Sequence, residues 1–155
     1  MRIEIASRKS IESRAQLPFM ASTALISCFD HELEPVNLEN LPEYMLQLQF
    51  NDVGIEDFMD FDNSIPEGEE FSRLTQSYHM ITEDQAKQLA EFYQGIKDKA
   101  ELLICQCEHG ESRSTAIAAA ITQYESGQGI EYFIEDRYFP NKTVYKAVYS
   151  ALKSI

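Results

Sequence analysis

One cysteine, one glycine and one arginine lie within seven consecutive residues of this chain, in the spacing Cys-x2-Gly-x2-Arg. These residues are Cys107, Gly110 and Arg113, and Ser112 and Ser114 flank the arginine. A thiolate is a strong nucleophile, a guanidinium can bind two phosphate oxygens at once, and glycine permits a tight backbone turn. The combination predicts attack by Cys107 on a phosphate group that Arg113 clamps.

The segments on either side of this loop predict how it is held. Residues 102–105 are a continuous apolar run typical of a buried central strand, and residues 114–121 are a helix of mostly small residues. The N-terminus of a helix exposes unpaired N–H groups and positive dipole charge, which bind phosphate. The same field favours the thiolate form of Cys107. The backbone of the loop should therefore form an anion nest, and the residues predicted to bind phosphate are Glu108, His109, Gly110, Glu111, Ser112 and Arg113.

The loop and its flanks resemble the protein tyrosine phosphatase superfamily, and its dual-specificity branch in particular. The family pattern is His-Cys, five residues, Arg, then Ser or Thr, and residues 106–114 match it except at the first position. The resemblance is strong over residues 102–121 and looser over 24–155. It implies a phosphomonoesterase that works through a phosphocysteine intermediate and needs no cofactor or metal. Its substrate would be a phosphorylated protein or a small phosphomonoester.

The resemblance also implies roles for individual residues. Cys107 would attack phosphorus, Arg113 would stabilise the phosphate oxygens in the transition state, and Ser114 would donate a hydrogen bond to the Cys107 thiolate. The family uses an aspartate that follows an upstream strand as general acid and then as base. Asp52 fits best because it closely follows the alternating segment 44–50. Asp57 is the second candidate, and the weaker candidates are Asp60 and Asp62.

One residue departs from the pattern, and two others are atypical of the family's loop. Gln106 replaces the family's histidine, which helps to hold the loop and tune the thiolate. Glu108 and Glu111 add negative charge, which costs little if the side chains point outward and disfavours the thiolate if they point toward it. Family members that act on polyphosphorylated inositides tend to carry lysines at such positions. The two glutamates therefore argue against that substrate class.

Two other functions remain open at this level. A pseudophosphatase that binds phosphorylated ligands without turnover is compatible with the loss of the histidine at position 106. A sulfurtransferase of the rhodanese type also uses a cysteine loop, but typically with one residue fewer before the arginine.

Composition limits the partners and the compartment. The chain has 155 residues and a net charge of −13, so it repels nucleic acid and anionic membrane surfaces. A phosphate site in such a protein must create its own positive field. The N-terminus lacks the pattern of a secretory signal, and no apolar run is long enough to span a bilayer. Three unevenly spaced cysteines favour a reducing compartment, so we expect a cytoplasmic protein.

Periodicity predicts a single α/β domain over residues 1–155, with a central, mostly parallel sheet flanked by helices. The expected strands are residues 3–5, 23–29, 44–50 and 102–105. A short helix is expected at residues 10–15, and residues 51–78 read as a long polar loop with at most a short helix. Thr82 and Gln85 form a capping box that starts another helix. Two C-terminal helices are expected near residues 130–138 and 142–154.

Several other residues could take part in catalysis or ligand binding, but a structural role explains them more simply. Cys105 and Cys28 are expected to pack in the core, although Cys28 would also suit a resolving thiol for Cys107. His109 either contacts substrate or faces solvent, and His31 and His79 have no partner spacing. The run 60–63 lacks the offsets of a calcium loop, and no His/Cys cluster has zinc-ligand spacing. An aromatic set is expected to pack the C-terminal helices, and its members are Tyr132, Phe133, Tyr138, Phe139, Tyr145 and Tyr149.

Overall fold

A sheet of four parallel strands lies at the centre of the protein. The strands are β1 (Arg2–Ala6), β2 (Thr23–Phe29), β3 (Tyr44–Gln49) and β4 (Leu102–Gln106), in the order β1-β4-β2-β3. The computed structural model describes residues 1–59, 64 and 67–155. Every residue of β2 and β4 is buried, which matches their apolar sequences. The predicted α/β class with a parallel sheet is confirmed.

Helices cover both faces of this sheet. Their bounds in the described residues are α1 (Arg8–Arg14), α2 (Gly68–Tyr78), α3 (Glu83–Ile96), α4 (Arg113–Ser126), α5 (Glu131–Ile134) and α6 (Lys142–Lys153). A 3-10 turn spans Ile55–Phe58. The predicted capping box is confirmed, since the Thr82 side chain accepts from Gln85 N and the Gln85 side chain accepts from Thr82 N. In the part of the chain that the structure describes, no helix is both long enough and apolar enough to cross a membrane.

Helix α4 is the central packing element, and its small side chains explain why. All residues from Arg113 to Ile121 are buried. Alanines at positions 116 and 118–120 let the helix lie close to both the sheet and α6, because they leave little side chain between the backbones. On the other face, Ile11 of α1 packs with Leu25 and Ile104 in a smaller cluster. The start of α4, which carries Arg113, is therefore held by the main core.

Three expectations for the connecting segments need correction. Residues 51–78 contain α2, a helix of eleven residues, where we predicted a loop with at most a short helix. The helix expected near residues 130–138 is only the four-residue α5. Phe139 is 67% exposed and does not join the core, whereas Tyr132, Tyr145 and Tyr149 pack against it. Residues 60–63, with the excluded calcium-loop pattern, lie outside the described residues.

Candidate active site

Cys107 lies directly after β4, at the carboxyl edge of the parallel sheet. Its backbone N–H donates to the carbonyl of Ala6 at 3.3 Å, so the neighbouring strand β1 fixes the start of the loop. Only 3% of Cys107 is exposed. Its Sγ lies 3.1 Å from the Ser114 Oγ in the first turn of α4. The sulfur therefore has a hydroxyl partner at the position that the sequence assigned to it.

Gly110 allows the loop to pack against the connection between β1 and α1. Its φ is +69°, in the left-handed region that side chains disfavour. A Cβ atom at this position would lie 3.0 Å from the backbone N of Ser7 and 3.1 Å from the carbonyl carbon of Ala6. The Arg8 N–H also donates to the Glu108 carbonyl at 3.1 Å. The glycine is needed here for both conformation and space.

The backbone amides of the loop are available to an anion. Within the described part of the chain, no N–H of residues 108–112 donates a hydrogen bond to a protein atom. Ser112, the N-cap residue of α4, does not cap the helix with its side chain, and the first turn of α4 contains no acidic residue. Free amides at a helix N-terminus favour anion binding. The N-terminus of α4 therefore keeps free N–H donors at the loop where the sequence predicts phosphate binding.

Arg113 is buried and anchored through one end of its guanidinium. Its Nη1 donates to the Phe50 carbonyl at 2.6 Å and to the Asp30 Oδ1 at 2.8 Å. Only 3% of the residue is exposed, and its Nε has no hydrogen-bond partner. Among the described residues, this Nε is the one buried side-chain nitrogen or oxygen left unpaired. A buried unpaired donor is costly, so it indicates an acceptor supplied from outside the protein.

Asp30 is a site residue that the sequence analysis missed. It follows β2, and its carboxylate holds Arg113 while 35% of its side chain remains exposed. The sequence showed an aspartate at the end of an apolar run. A general rule could have identified it, since the carboxyl ends of neighbouring parallel strands meet at one edge of a sheet. Because β2 pairs with β4, this rule places Asp30 on the same edge as Cys107.

The structure brings Asp52 to the loop and leaves Asp57 away from it. Asp52 Oδ1 accepts from the Ser112 Oγ at 2.8 Å and from the Asn141 Nδ2 at 2.9 Å. Asp57 instead caps the 3-10 turn, accepting from the Gly54 N–H at 2.8 Å. Asp60 and Asp62, the weaker candidates, lie outside the described residues.

A cavity of about 460 Å³ lies between the cysteine loop and the segments that carry Asp30 and Asp52. Arg113, Asp52 and Asp30 line it, together with the loop residues Glu108 and His109. The structure therefore gathers an arginine donor, a tethered carboxylate and the loop around one space that can admit a phosphate group. Among the described residues, no group of three or more His, Cys, Asp or Glu side chains could hold a metal ion.

Gln106 has a structural role where the family pattern has histidine. Its Nε2 donates to the Cys107 carbonyl at 2.8 Å, and its Oε1 accepts from the Ser27 Oγ at 2.5 Å. All three residues are buried. The amide therefore joins β2 to the start of the loop and holds the loop backbone, one of the two tasks that the resemblance assigned to the histidine.

The acidic loop residues have different surroundings. Glu108 keeps 26% of its side chain exposed and pairs with Arg8, whose Nε lies 2.7 Å from its Oε2. Glu111 is exposed, and its carbonyl accepts from the Phe139 N–H at 2.8 Å. The guanidinium of Arg8 therefore offsets the negative charge of Glu108.

The other cysteines are buried thiols. Cys105 and Cys28 are fully buried, which confirms the expectation that both pack in the core. Burial raises the pKa of both thiols, and for Cys28 the positive charge of Arg113 offsets part of that increase. The three cysteines are free. A resolving role for Cys28 stays a prediction.

Comparison with known proteins supports the fold. No protein-family model matches the chain, and no curated protein matches it. A crystal structure of PTPMT1 in complex with PI(5)P superimposes with a TM-score of 0.52 at 12% identity, covering 99% of this chain and 91% of that one. A crystal structure of Tk-PTP in the active form gives a TM-score of 0.49 at 11% identity, covering 100% and 94%. The similarity to PTPMT1, a phosphatase of the protein tyrosine phosphatase superfamily, confirms the predicted phosphatase-like fold.

Proposed function

We propose that this chain is a cysteine-dependent phosphomonoesterase that acts on phosphotyrosine or phosphoserine/threonine in proteins. The observation that carries the proposal is the buried, unpartnered Nε of Arg113, a residue that lines the cavity together with Glu108 and His109 of the cysteine loop. Nε and Nη2 present parallel N–H donors, which suit two phosphate oxygens, while Nη1 is already anchored. Release of inorganic phosphate from an aryl phosphate, and loss of that release in Cys107→Ser, tests the proposal.

In the first step, the Cys107 thiolate attacks phosphorus. A sulfur–phosphorus bond forms as the bond from phosphorus to the ester oxygen breaks. The departing oxygen takes a proton from Asp52, and the free alcohol or phenol leaves. Arg113 and the amides of the loop hold the equatorial oxygens, whose charge is greatest in the transition state. The product of this step is a phosphocysteine.

In the second step, water attacks phosphorus and Asp52 accepts its proton. The sulfur–phosphorus bond breaks, inorganic phosphate forms, and Cys107 leaves as a thiolate. A thiolate leaves more readily when a hydroxyl donates to it, and Ser114 Oγ lies 3.1 Å from the sulfur. Each cycle returns Asp52 to its protonated form and Cys107 to its ionised form.

Replacing Asp52 with asparagine should lower kcat about 10²- to 10³-fold on a phosphoserine peptide, because the alkoxide leaving group needs a proton. The loss should be much smaller on 4-nitrophenyl phosphate, whose leaving group is stable as an anion. Asparagine can still accept from Ser112 and Asn141, so the fold of the site should be kept. Steady-state kinetics on both substrates measure the difference.

Asp57→Asn is the matched control, because it is the same substitution made five residues away, in the 3-10 turn. We expect it to change kcat less than threefold on either substrate. Asp52 is not the general acid if Asp52→Asn lowers kcat equally on the two substrates. The same conclusion follows if the dependence on the leaving group is seen in Asp57→Asn instead.

Asp30→Ala should lower kcat/KM about tenfold, because a buried hydrogen bond to a charged group contributes about 1.5–3 kcal/mol and the Phe50 carbonyl still holds Nη1. Asp30→Asn keeps an oxygen acceptor and should recover most of the activity. The inhibition constant of vanadate, a phosphate analogue, should worsen in parallel with kcat/KM. If both variants lose the same activity, or if Asp30→Ala stays within twofold of wild type, Asp30 does not position Arg113.

A further inference from the structure

The cavity that carries Arg113 has an acidic mouth. Among the described residues that line it, Asp30, Glu32, Asp52 and Glu108 are acidic, and Arg113 is the one arginine or lysine. Asp30 is paired with Arg113 itself, and Glu108 with Arg8. Glu32 is exposed and, among the described residues, makes no ion pair. Carboxylates at this mouth thus outnumber the one arginine, even when Asp52 carries the proton that its acid role requires.

A second hollow of about 570 Å³ adjoins the first and shares Glu108 and His109 with it. It runs along α1 and adds the carboxylates of Glu12 and Glu39 and the cations of Arg8 and Lys9. Arg8 is committed to acidic partners, with its Nε 2.7 Å from Glu108 and its Nη1 3.4 Å from Glu12. Counting Glu108, this hollow has three carboxylates against two cations among its described lining residues, so its net charge is −1.

The pattern separates two kinds of substrate. A phosphate group that enters this cavity would meet the guanidinium of Arg113, which is 97% buried and whose Nε has no partner. A second anionic group on the same substrate would lie against the carboxylates at the entrance. A positively charged group in that place would be attracted to them. Such exposed charges have moderate, salt-sensitive effects that act on selectivity.

The shape of the surface favours a polypeptide over a small ester. The two hollows lie side by side across His109, and a phosphomonoester headgroup needs only the first of them. An extended chain advances about 3.3 Å per residue, so a few residues next to a phosphorylated one would lie in the second hollow along α1.

We propose that the site selects phosphorylated polypeptide segments that carry arginine or lysine beside the phosphorylated residue and discriminates against substrates with further negative charge. This inference rests on the proposed phosphatase function and names its substrate class. It follows from the acidic entrance, the adjoining hollow and the buried arginine donor below them.

The test compares three phosphotyrosine peptides that are identical except for the two residues on each side of the phosphotyrosine, which are arginine, glutamine or glutamate. We expect kcat/KM at low salt to be about tenfold higher for the arginine peptide than for the glutamate peptide, with the glutamine peptide between them. The ratio should fall toward about twofold at 0.5 M NaCl, because salt screens exposed charges.

Glu32→Lys should reduce the same ratio about threefold, because it reverses the unpaired charge at the entrance. Glu101→Lys is the matched control, since Glu101 is exposed at the opposite end of β4. It makes the same change in net charge and should leave the ratio unaltered. A ratio that falls equally in the two variants would assign the preference to the net charge of the whole protein and overturn the inference.

Equal or reversed preference among the peptides, with 4-nitrophenyl phosphate still hydrolysed, would overturn the inference and leave the phosphatase function intact. Faster turnover of a soluble phosphoinositide than of every peptide would do the same. If no substrate is turned over, the inference is tested by binding instead. The affinities of the three peptides for Cys107→Ala are then measured by fluorescence anisotropy. Preference for the arginine peptide then supports the recognition proposal, and absence of preference overturns it.

Discussion

Replacing Cys107 with serine is expected to lower kcat for 4-nitrophenyl phosphate by about 10⁴-fold or more, as loss of a nucleophile does in enzymes that form covalent intermediates. The serine hydroxyl stays protonated, so it cannot attack phosphorus, and an alkoxide leaves phosphorus far less readily than a thiolate. The folded state should be little affected, because Ser114 Oγ remains a hydrogen-bond partner at this position. Acid quenching of the wild type during turnover should trap phosphate on Cys107, detectable by mass spectrometry.

Cys105→Ser supplies the matched control, two residues earlier on β4. It buries a hydroxyl in an apolar core, so the free energy of unfolding in urea should drop by about 1–3 kcal/mol. Its kcat should nevertheless stay close to that of the wild type under conditions in which it is folded. The two substitutions therefore separate chemistry from stability. Phosphate release that survives in Cys107→Ser would exclude the phosphocysteine mechanism, and tight binding of phosphorylated ligand with no release by the wild type would favour the pseudophosphatase.

Arg113→Lys should lower kcat/KM about 10³-fold, a loss of about 4 kcal/mol of transition-state stabilisation. Lysine keeps the charge but lacks the planar fork that binds two oxygens. Its single nitrogen also cannot occupy both the position of Nη1, which holds the Phe50 carbonyl and the Asp30 carboxylate, and the position of Nε, which has no protein partner. The increase in Tm that vanadate gives the wild type should be nearly absent in the variant.

Arg137→Lys is the control for this change. Arg137 is an exposed arginine whose Nε pairs with Glu135 at 2.9 Å, with 70% of its side chain accessible. Surface pairs of this kind contribute little, so activity and the vanadate response should not change. Arg113→Lys with more than a tenth of wild-type kcat/KM would show that a point charge is sufficient and that the unpartnered Nε has another purpose.

Local sequence was enough to predict the strand, the loop and the helix that carry Cys107 and Arg113. The reason is physical, since a buried strand, a glycine with positive φ and a small-residue helix each leave a mark within a few residues. Asp52 lies three residues after the end of β3, and its role as general acid stays a prediction.

Other features depend on contacts that sequence spacing does not show. Asp30 touches Arg113 only because β2 pairs with β4, and that order follows from the whole sheet. Helix α2 was missed because its segment is polar and acidic and none of its residues is buried, so few apolar residues mark it as a packed helix. Gln106 was interpreted as the loss of the family's histidine, whereas its side-chain amide connects Ser27 to the loop backbone. That contact could not be seen without the neighbouring strand.

The hydrogen bonds around the loop connect distant parts of the chain. Ser112 and Asp52 are 60 positions apart, Asn141 and Asp52 are 89 apart, and Arg8 and Glu108 are 100 apart. Contacts of such separation carry a large loop-closure cost and slow folding. Competence to bind phosphate should therefore arise late, after β1, β2 and α6 have all docked. During synthesis, a nascent chain that has not yet exposed Asn141 would carry Cys107 in an incomplete pocket, and an anion would bind selectively to the finished fold.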